Sequence, residues 1–298
     1  GAKGDGITDN TAFIQKAIDD CSARKGGTVE IPSGHFLTRT LFLKSNVNLH
    51  LHFGAELLGS TDLDSYHKVF PELKGKESPA LIFARGVANI AITGSGTING
   101  QGAHQNFQHG NDSKGGPRRP KIIYFIGCNN VRVQDVTLRN SAYWTQDYEK
   151  CNGVIVRGVK VYSHANWNND GLDIDSRNVV VSDCYIDCDD DALCLKSDTD
   201  TPCENVTVTN CVLKSNCNAI KFGTSSYSGF KNVTISNCTI DRASEDHIRQ
   251  WYKNYPWIGT KHKTVVAGIA LESVDGGIIE NVSISDIAMQ GVQTPIFV

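Results

Sequence analysis

The chain has 298 residues and a formal net charge of −3; 40% of the residues are apolar and 20% are charged, which is typical of a globular protein. This charge gives no electrostatic reason to expect a nucleic acid partner, and we expect none. No run approaches the ~18 consecutive apolar residues that indicate a membrane-spanning helix, so we expect no membrane span. No signal peptide is recognisable, but Gly1 lies inside a recognisable segment, and we expect one domain over residues 1–298, truncated at both ends.

The first predicted element is a helix from Thr8 to Arg24, with Asp9 or Asn10 placed to cap its N-terminus. One helical face carries Phe13, Ile14, Ala17, Ile18 and Cys21. Such a helix can cover the open end of a sheet, whose unpaired strand edges proteins normally protect. The segment 26–32 then predicts a turn and the first strand. We therefore expect an N-terminal cap over about residues 1–25.

A repeat runs along most of the chain: an Asn-Val-like step is followed by alternating β-forming residues. The copies begin at Asn89, Asn130, Gly153, Asn178, Asn205, Asn232 and Asn281. From Asn178 to Asn205 and from Asn205 to Asn232 the step is 27 residues. Units of this length with short β-branched strands and no helical period indicate a β-solenoid, in which each coil pairs in parallel with the next.

The repeat also explains two features that suggest other chemistry. Five N-x-S/T triplets, such as the one at Asn205, recur in the repeat, and strand chemistry explains them better than glycosylation. Among the ten cysteines, Cys184, Cys211 and Cys238 recur in apolar contexts without metal-ligand spacing. We interpret these three as stacked, buried small apolar residues.

Two long insertions interrupt the regular coils, at residues 104–120 and 242–264. Loops of this length are usually functional or disordered, and either insertion could form a wall of a cleft. The second insertion carries a cluster of sugar-binding character, which we include among the substrate-binding candidates. This cluster is His247, Arg249, Trp251 and Tyr252.

Four strand-like stretches begin at Leu172, Leu193, Ile220 and Ile269 and align in the register of the repeat. Because alternate strand residues face opposite sides of a sheet, their Leu, Ile and Phe side chains should point into the core. The outward columns are Asp173, Cys194, Lys221 and Ala270, and beside them Asp175, Lys196, Gly223 and Glu272. These columns predict either the floor of a binding groove or a solvated sheet face with ladder salt bridges such as Asp175–Lys196.

Carboxylates stand directly before the first two of these strands. Asp170 and Asp190 are 20 residues apart, close to one coil, so stacking should bring them to about 5 Å from each other. Repulsion at that distance should raise one pKa into a range useful to an acid catalyst. Glycoside hydrolysis requires such paired carboxylates. A Ca²⁺ site uses the same residue type, and spacing alone leaves both interpretations open.

Three motifs give the chain a resemblance to the polygalacturonase family, the pectin-degrading glycoside hydrolase family 28, over essentially its whole length. They are the segment 1–6 with the helix that follows, Asn168-Asn169-Asp170-Gly171-Leu172-Asp173, and Asp190-Asp191-Ala192-Leu193-Cys194-Leu195-Lys196-Ser197. Pro295-Ile296 also resembles the closing strand of that family. The resemblance implies an all-β fold, namely a single-stranded right-handed parallel β-helix with an N-terminal capping helix.

The same resemblance implies inverting hydrolysis of a pectic polysaccharide or oligosaccharide outside the cell or in the periplasm. By position, Asp190 would be the general acid, while Asp170 and Asp191 would activate the water. Asn168 and Lys196, which belong to the matched motifs, are expected substrate-binding residues. No cofactor and no metal ion are expected, and a monomer is favoured.

The chain departs from the family pattern at two places that concern the substrate. The family's Gly-His-Gly is replaced by Cys217-Asn218-Ala219, and Asn218 can hydrogen-bond but cannot share a proton as imidazole does. The family's Arg-Ile-Lys-Thr, which binds a substrate carboxylate, reads Ala270-Leu271-Glu272-Ser273. Placing Glu272 against a uronate would be repulsive. We therefore expect a shifted specificity, such as rhamnogalacturonan or a substituted galacturonan.

Lys221 is the one residue that visibly compensates for the lost cations, because it stands beside Ala270 in the same outward column. We hypothesise that Lys221 supplies the lost positive charge, either to a uronate or by pairing with Glu272. Trp167, directly before the first aspartate motif, and Trp144, one coil earlier, either line the groove or pack. His164 either orients an aspartate or is an ordinary turn residue.

Two other functions stay open. A β-helical polysaccharide lyase would use Ca²⁺ and a basic residue to abstract a proton from a uronate. A non-catalytic carbohydrate-binding solenoid would not need the three aspartates, and their presence favours the hydrolase.

Overall fold

The computed structural model describes residues 1–70, 78–107, 119–245 and 265–298. Its short strands wind in coils, and every strand pairing within the described ranges is parallel, each strand bonding to the strand one coil later. The fold is a right-handed parallel β-helix, which confirms the predicted fold class. No helix among the described residues is long and apolar enough to cross a membrane.

Each coil contributes to three sheets, which we call the site sheet, the ladder sheet and the third sheet. The site sheet contains β4 (Leu41–Phe42), β7 (Ala80–Arg85), β10 (Lys121–Ile126), β17 (Leu193–Ser197), β20 (Asn218–Ser226), β22 (Val265–Leu271) and β24 (Val292–Phe297). The ladder sheet contains β2 (Gly27–Ile31), β5 (Val47–Leu51), β8 (Ala88–Gly94), β11 (Asn129–Gln134) and β18 (Cys203–Thr209). The third sheet contains β1 (Asp5–Asp9), β3 (Gly34–Thr38), β6 (Ala55–Gly59), β9 (Thr97–Asn99), β12 (Thr137–Arg139), β14 (Lys160–Ser163), β16 (Tyr185–Cys188) and β19 (Val212–Ser215).

Four long strands bend from one sheet into the next. β13 (Gln146–Arg157) and β15 (Leu172–Ser182) pass from the site sheet into the ladder sheet, while β21 (Phe230–Arg242) and β23 (Ile279–Met289) pass from the ladder sheet into the third sheet. The predicted closing strand at Pro295-Ile296 lies inside β24, which pairs with β22.

The core is built from inward columns of apolar side chains that repeat from coil to coil. Val131, Val154, Val179, Val206 and Val233 lie in one register column of the ladder sheet, and all five are buried. Each contributes about 1.5–3 kcal/mol by leaving water. All ten cysteines are free, and Cys184, Cys211 and Cys238 are buried as predicted.

The corner where the ladder sheet begins carries stacked asparagines, which explain the Asn-Val repeat. We call this set the asparagine ladder: Asn46, Asn89, Asn130, Asn152, Asn178, Asn205, Asn232 and Asn281. Six side-chain amide bonds of 2.7–3.1 Å join neighbours in this set. Most members hold a left-handed backbone, for example φ 56° at Asn205, a conformation that asparagine tolerates better than most residues.

The N-terminal cap forms, with four corrections. The helix α1 spans Thr11–Ala23, shorter than predicted, and it follows the strand β1 rather than preceding the first strand. Ile14 and Ile18 are buried, but Phe13 and Ala17 on the predicted apolar face are exposed. Of the two predicted cap residues, Asp9 accepts the N–H of Thr11 at 2.9 Å, whereas the side chain of Asn10 bonds to the backbone of Lys3 and Thr8 and does not cap the helix.

The other helices of the described ranges are short: α2 spans Leu63–Val69, and one turn of 3₁₀ helix spans Gln105–Phe107. That turn lies at the start of the first predicted insertion. The rest of this insertion up to residue 118, and residues 246–264 of the second, lie outside the described residues, as do His247, Arg249, Trp251 and Tyr252.

Candidate active site

The outward face of the site sheet is charged, as the register predicts. Asp147, Asp173, Cys194, Lys221 and Ala270 lie in one row across five successive coils. Asp173 and Cys194 are nevertheless fully buried, because longer side chains from the same face cover them: the ammonium of Lys196 lies 3.3 Å from the Cys194 Sγ. The face is therefore a polar layer with little water access rather than a solvated sheet surface.

The three candidate catalytic aspartates lie where the third sheet turns into the site sheet, a corner we call the aspartate corner. Here the predicted stacking of Asp170 on Asp190 is wrong. Leu172 pairs with Leu193, and the N–H of Gly171 donates to the carbonyl of Asp191 at 2.8 Å, so Asp170 faces Asp191. The coil between them is 21 residues long, one more than the spacing suggested, as the pairing of Leu172 with Leu193 shows.

Asp190 stands beside this row and is held by its backbone. Its carbonyl accepts a bond from the Ser215 hydroxyl at 2.6 Å, and its carboxylate accepts the N–H of Asp191 at 3.0 Å. Asp170, Asp190 and Asp191 are 3–5% exposed, so all three carboxyls are withdrawn from bulk water. The corner thus holds one stacked pair and one offset carboxyl.

Asp191 has strong partners on both of its oxygens. Oδ1 accepts the Nδ2–H of Asn218 at 2.7 Å and its backbone N–H at 3.2 Å, while the Nζ of Lys221 lies 3.1 Å from Oδ2. Burial alone raises the pKa of Asp191, but Lys221, the more distant Lys196 and the Asn218 amide outweigh it and hold that pKa below its usual value of 3.8. Asp191 is therefore the ionised carboxylate, and the predicted substrate ligands Asn218 and Lys221 contact it directly.

Lys221 also approaches Glu272, with 3.7 Å between Nζ and Oε2. This contact matches one of the two predicted roles of Lys221, while the contact with Asp191 was not foreseen. Nearby charges, first Asp191, raise the pKa of Lys221 well above its usual value although burial opposes them, so the amine is a cation.

Lys196 pairs with Asp173 and not with Asp175, so the predicted ladder salt bridge is wrong. The Nζ of Lys196 lies 3.2 Å from the Asp173 Oδ1, although the register places Lys196 opposite Asp175, two residues further along the strand. The long lysine chain folds back along the strand toward this fully buried carboxyl. Burial, and then the charges of Asp170 and Asp147, raise the pKa of Asp173 above its usual value despite Lys196.

Trp144 lies between two lysines one coil before Asp170. Its ring centroid is 4.4 Å from the Nζ of Lys121 and 4.4 Å from that of Lys196, within the range of cation–π attraction. Lys121 is buried and forms an ion pair with Asp147. Sequence reasoning missed Lys121 and Asp147, although a lysine at the start of an apolar strand such as β10 is a signal.

Asp175 lies further along the same face, next to Glu149 in the register. Its carboxylate accepts the backbone N–H of Asp198 at 2.9 Å. Burial, followed by the neighbouring charges of Asp147 and Glu149, raises the pKa of Asp175 to about 7. The site therefore holds carboxyls of opposite tendency: the pKa of Asp191 is lowered, and that of Asp175 is raised to about 7.

The turn before Asp170 is fixed by two residues that sequence reasoning did not assign. Arg119 donates to the carbonyl of Trp167 at 2.6 Å and to the Oδ1 of Asn168 at 3.1 Å. Asn169 accepts the N–H groups of residues 165 and 166 and donates to two carbonyls of the previous coil. Trp167 itself is 44% exposed, so its ring is available at the rim.

His164 is buried in this corner and bonds through Nε2 to the Oδ1 of Asp187 at 2.9 Å, so it does contact an aspartate, although not a catalytic candidate. It also lines a cavity of about 580 Å³ together with Arg139, Tyr162 and Glu245. This cavity lies beside the aspartate corner, at the ends of third-sheet strands.

The described residues offer one cluster with metal-ligand spacing, and its chemistry does not suit Ca²⁺. The ligand atoms of Asp190, Asp191 and Cys217 lie within 4.8 Å of one another. Calcium takes six to eight oxygen ligands, whereas this cluster brings a thiol and places the ammonium of Lys221 next to Asp191. Burial raises the pKa of Cys217 well above its usual value, which also opposes binding as thiolate.

A model of glycosyl hydrolases family 28 matches residues 21–298. The chain belongs to this family. It is 32% identical over 216 residues to a probable polygalacturonase of Vitis vinifera, an alignment that covers 67% of this chain and 43% of that protein. The chain therefore spans less than half the length of that relative.

Two solved structures share the fold. The family 28 exopolygalacturonase of Yersinia enterocolitica superimposes with a TM-score of 0.78 at 26% identity, covering 100% of this chain and 58% of the other. A hyperthermoactive exopolygalacturonase of Thermotoga maritima gives a TM-score of 0.76 at 25% identity, covering 97% and 73%.

Proposed function

We propose that this family 28 chain is an inverting glycoside hydrolase that cleaves glycosidic bonds in pectic polysaccharide or oligosaccharide. The observation that carries the proposal is the aspartate corner: three buried carboxyls on adjacent coils, of which Asp191 is held ionised by Lys221 and Asn218. Names of similar proteins support the substrate class, since the relatives described above are named polygalacturonase or exopolygalacturonase.

In this mechanism Asp190 protonates the oxygen of the leaving sugar while Asp191, with Asp170 opposite it, accepts a proton from the attacking water. The water oxygen bonds to the anomeric carbon as the bond to the leaving oxygen breaks, so the configuration inverts. This division of roles rests on the positions of the two aspartate motifs and not on the carboxyl separation, because a carboxylate oxygen of Asp190 lies within 4.8 Å of one of Asp191, closer than the roughly 6.5–9.5 Å typical of an inverting pair.

Asn168, Lys196, Trp167 and Glu272 are proposed to contact the sugar chain, and the same role is proposed for His247 and Arg249. We further propose an extracellular or periplasmic, monomeric enzyme. The substrate is a rhamnogalacturonan or a substituted galacturonan, because Asn218 and Glu272 stand where the resemblance implies an imidazole and a cation.

A lyase is the second function to test. The thiol and the ammonium beside Asp190 and Asp191 argue against the calcium that such an enzyme would need. A carbohydrate-binding solenoid would not require a carboxylate held ionised next to two further buried carboxyls.

The deciding experiment incubates the purified chain with polygalacturonate, rhamnogalacturonan and defined galacturonate oligomers, with and without EDTA. Proton NMR in the first minutes identifies the anomer that is released, and chromatography of the products separates release of single units from internal cleavage. We expect the inverted anomer and no effect of EDTA. An unsaturated, ultraviolet-absorbing product that EDTA abolishes would establish the lyase, and binding without cleavage would establish the solenoid.

A further inference from the structure

Lys221 has two carboxylate neighbours, and this decides what its charge can do. Its Nζ lies 3.1 Å from the Oδ2 of Asp191 and 3.7 Å from the Oε2 of Glu272. The side chains of Lys221 and Glu272 are only 14% and 17% exposed. One ammonium thus already faces two carboxylates, and little of its side chain is exposed to a carboxylate of the substrate.

Asp191 is held from two directions by residues of a single strand, β20. Asn218 begins this strand and bonds to Oδ1, while Lys221 lies three residues later and reaches Oδ2. Because both groups belong to one rigid element, they fix the orientation of the carboxylate as well as its charge.

We propose that Lys221 is a positioning residue that keeps Asp191 ionised and oriented, with Glu272 as its anchor, and that it is not a ligand of a substrate carboxylate. The proposal rests on the proposed function in one respect, namely that Asp191 accepts a proton during hydrolysis. The proposal gives a role to both ion pairs that Lys221 forms among the described residues.

Other groups also face Asp191, and their effects do not replace that of Lys221. The row above presents Asp170, and the same turn presents Asp190. The thiols of Cys188, Cys194 and Cys217 are buried around it, and burial raises their pKa so that they stay neutral. Lys196 is the second cation, but it lies against Asp173.

The first test measures the pH dependence of kcat/KM and the separate kcat and KM of Lys221→Met on a uronate oligomer. We expect the acid limb to move up by about one pH unit, because each unit reflects lost stabilisation of the ionised form. We also expect kcat to fall roughly 10- to 100-fold while KM changes less than about threefold, as for a group that acts on the chemical step. An unchanged acid limb with a KM raised tenfold or more would overturn the proposal, since it would mark Lys221 as a uronate ligand.

Lys231→Met is the matched control. Lys231 pairs with Glu280 of the next coil at 2.8 Å, but this pair is about half exposed on the ladder sheet. We expect its pH profile and kinetic constants to match the wild type. Lys221→Arg, which keeps the charge, should restore the acid limb to within about half a unit.

Glu272→Gln separates the anchor from the substrate. Without the anchor charge, Lys221 should still hold Asp191, so the acid limb should stay near the wild-type position. Loss of the repulsive carboxylate should lower KM for uronate oligomers roughly two- to tenfold. An acid limb raised as far as in Lys221→Met would contradict the role of Lys221 as the direct partner.

A direct measurement makes the test independent of turnover. Carbon-13 NMR of aspartate carboxyls, with Asp191 assigned by its loss in Asp191→Asn, reports the Asp191 pKa in the wild type and in Lys221→Met. A rise of about one unit supports the proposal even if no pectic substrate is cleaved, in which case the proposed function alone fails. An Asp191 pKa that does not move in Lys221→Met overturns the proposal.

Discussion

Two corners of the β-helix carry side chains of similar shape, asparagine in one and aspartate in the other, and use them for opposite purposes. In the asparagine ladder, one residue type recurs at one corner of nearly every coil, and six amide bonds of 2.7–3.1 Å join its members. In the aspartate corner, the turns differ in length, and the row that passes Asp170 and Asp191 continues to Asn218.

The difference shows how repetition relates to chemistry in this fold. Stacking identical neutral amides satisfies hydrogen bonds coil after coil at little electrostatic cost. Stacking carboxylates would bring like charges together, so the aspartate corner and the adjoining site sheet need a different partner on each coil: Asn218 and Lys221 for Asp191, and Lys196 for Asp173. The proposed function therefore lies where the repeat is broken.

The largest effect on activity should come from replacing the aspartate proposed as the proton donor, with the same replacement at a different corner as the control. Asp190→Asn removes the proposed proton donor, and we expect kcat to fall roughly 10²- to 10⁴-fold with little change in thermal stability. Reducing-end assays and circular dichroism melting measure the two quantities.

Asp183→Asn is the control for this substitution. Asp183 is exposed at the turn after the ladder sheet, in a left-handed conformation (φ 58°) that asparagine also tolerates. Its activity should stay within about twofold of the wild type, given the small effects of most surface changes. An Asp190→Asn enzyme with near wild-type turnover would remove the proposed mechanism.

A second expected effect is on the pH dependence of stability, through a carboxyl that is buried on the site sheet. The pKa of Asp175 in the folded chain is about 7, above its ordinary 3.8, so the folded state binds an extra proton between these two values. Asp175 therefore stabilises the fold fully below about pH 4, and this contribution is lost as pH rises through 7.

Asp175→Asn should remove this pH dependence, because asparagine can accept the same N–H from Asp198 without taking up a charge. From pH 4 to pH 8, the free energy of unfolding of the wild type should fall by roughly 2–4 kcal/mol more than that of the variant. Urea titrations at both pH values measure the difference. Parallel pH profiles for the two proteins would show that folding does not raise the pKa of Asp175.

The contrast between the corners also separates what the sequence could predict from what it could not. The 27-residue steps from Asn178 to Asn232 predicted the coils, and the motif aspartates predicted the corner for which catalysis is proposed. Both depend on local patterns that one coil repeats in the next.

The errors concern features that depend on turn length and on side-chain reach. Asp170 faces Asp191 rather than Asp190 because a turn adds one residue that the spacing alone does not place. Lys196 pairs with Asp173 because its long chain bends back along the strand, which a column of Cα positions cannot show. The strand β1 was missed because its sequence, Asp5–Asp9, lacks an apolar alternation.

The smallest effect is expected for substitutions in the asparagine ladder, which should change stability and not catalysis. Asn205 donates to Asn178 and accepts from Asn232, both at 3.0 Å, with φ 56°. Asn205→Ala should lower the free energy of unfolding by about 1–3 kcal/mol, because alanine loses both exposed amide bonds and is strained in the left-handed region. Asn205→Gly loses the same hydrogen bonds, but glycine adopts the left-handed conformation without strain. The free energy of unfolding should therefore fall by about 1 kcal/mol less than in Asn205→Ala. Both variants should keep the wild-type kcat and its pH profile. A change in the acid limb in either would mean that the ladder is coupled to the aspartate corner, and that the two corners are not independent parts of the fold.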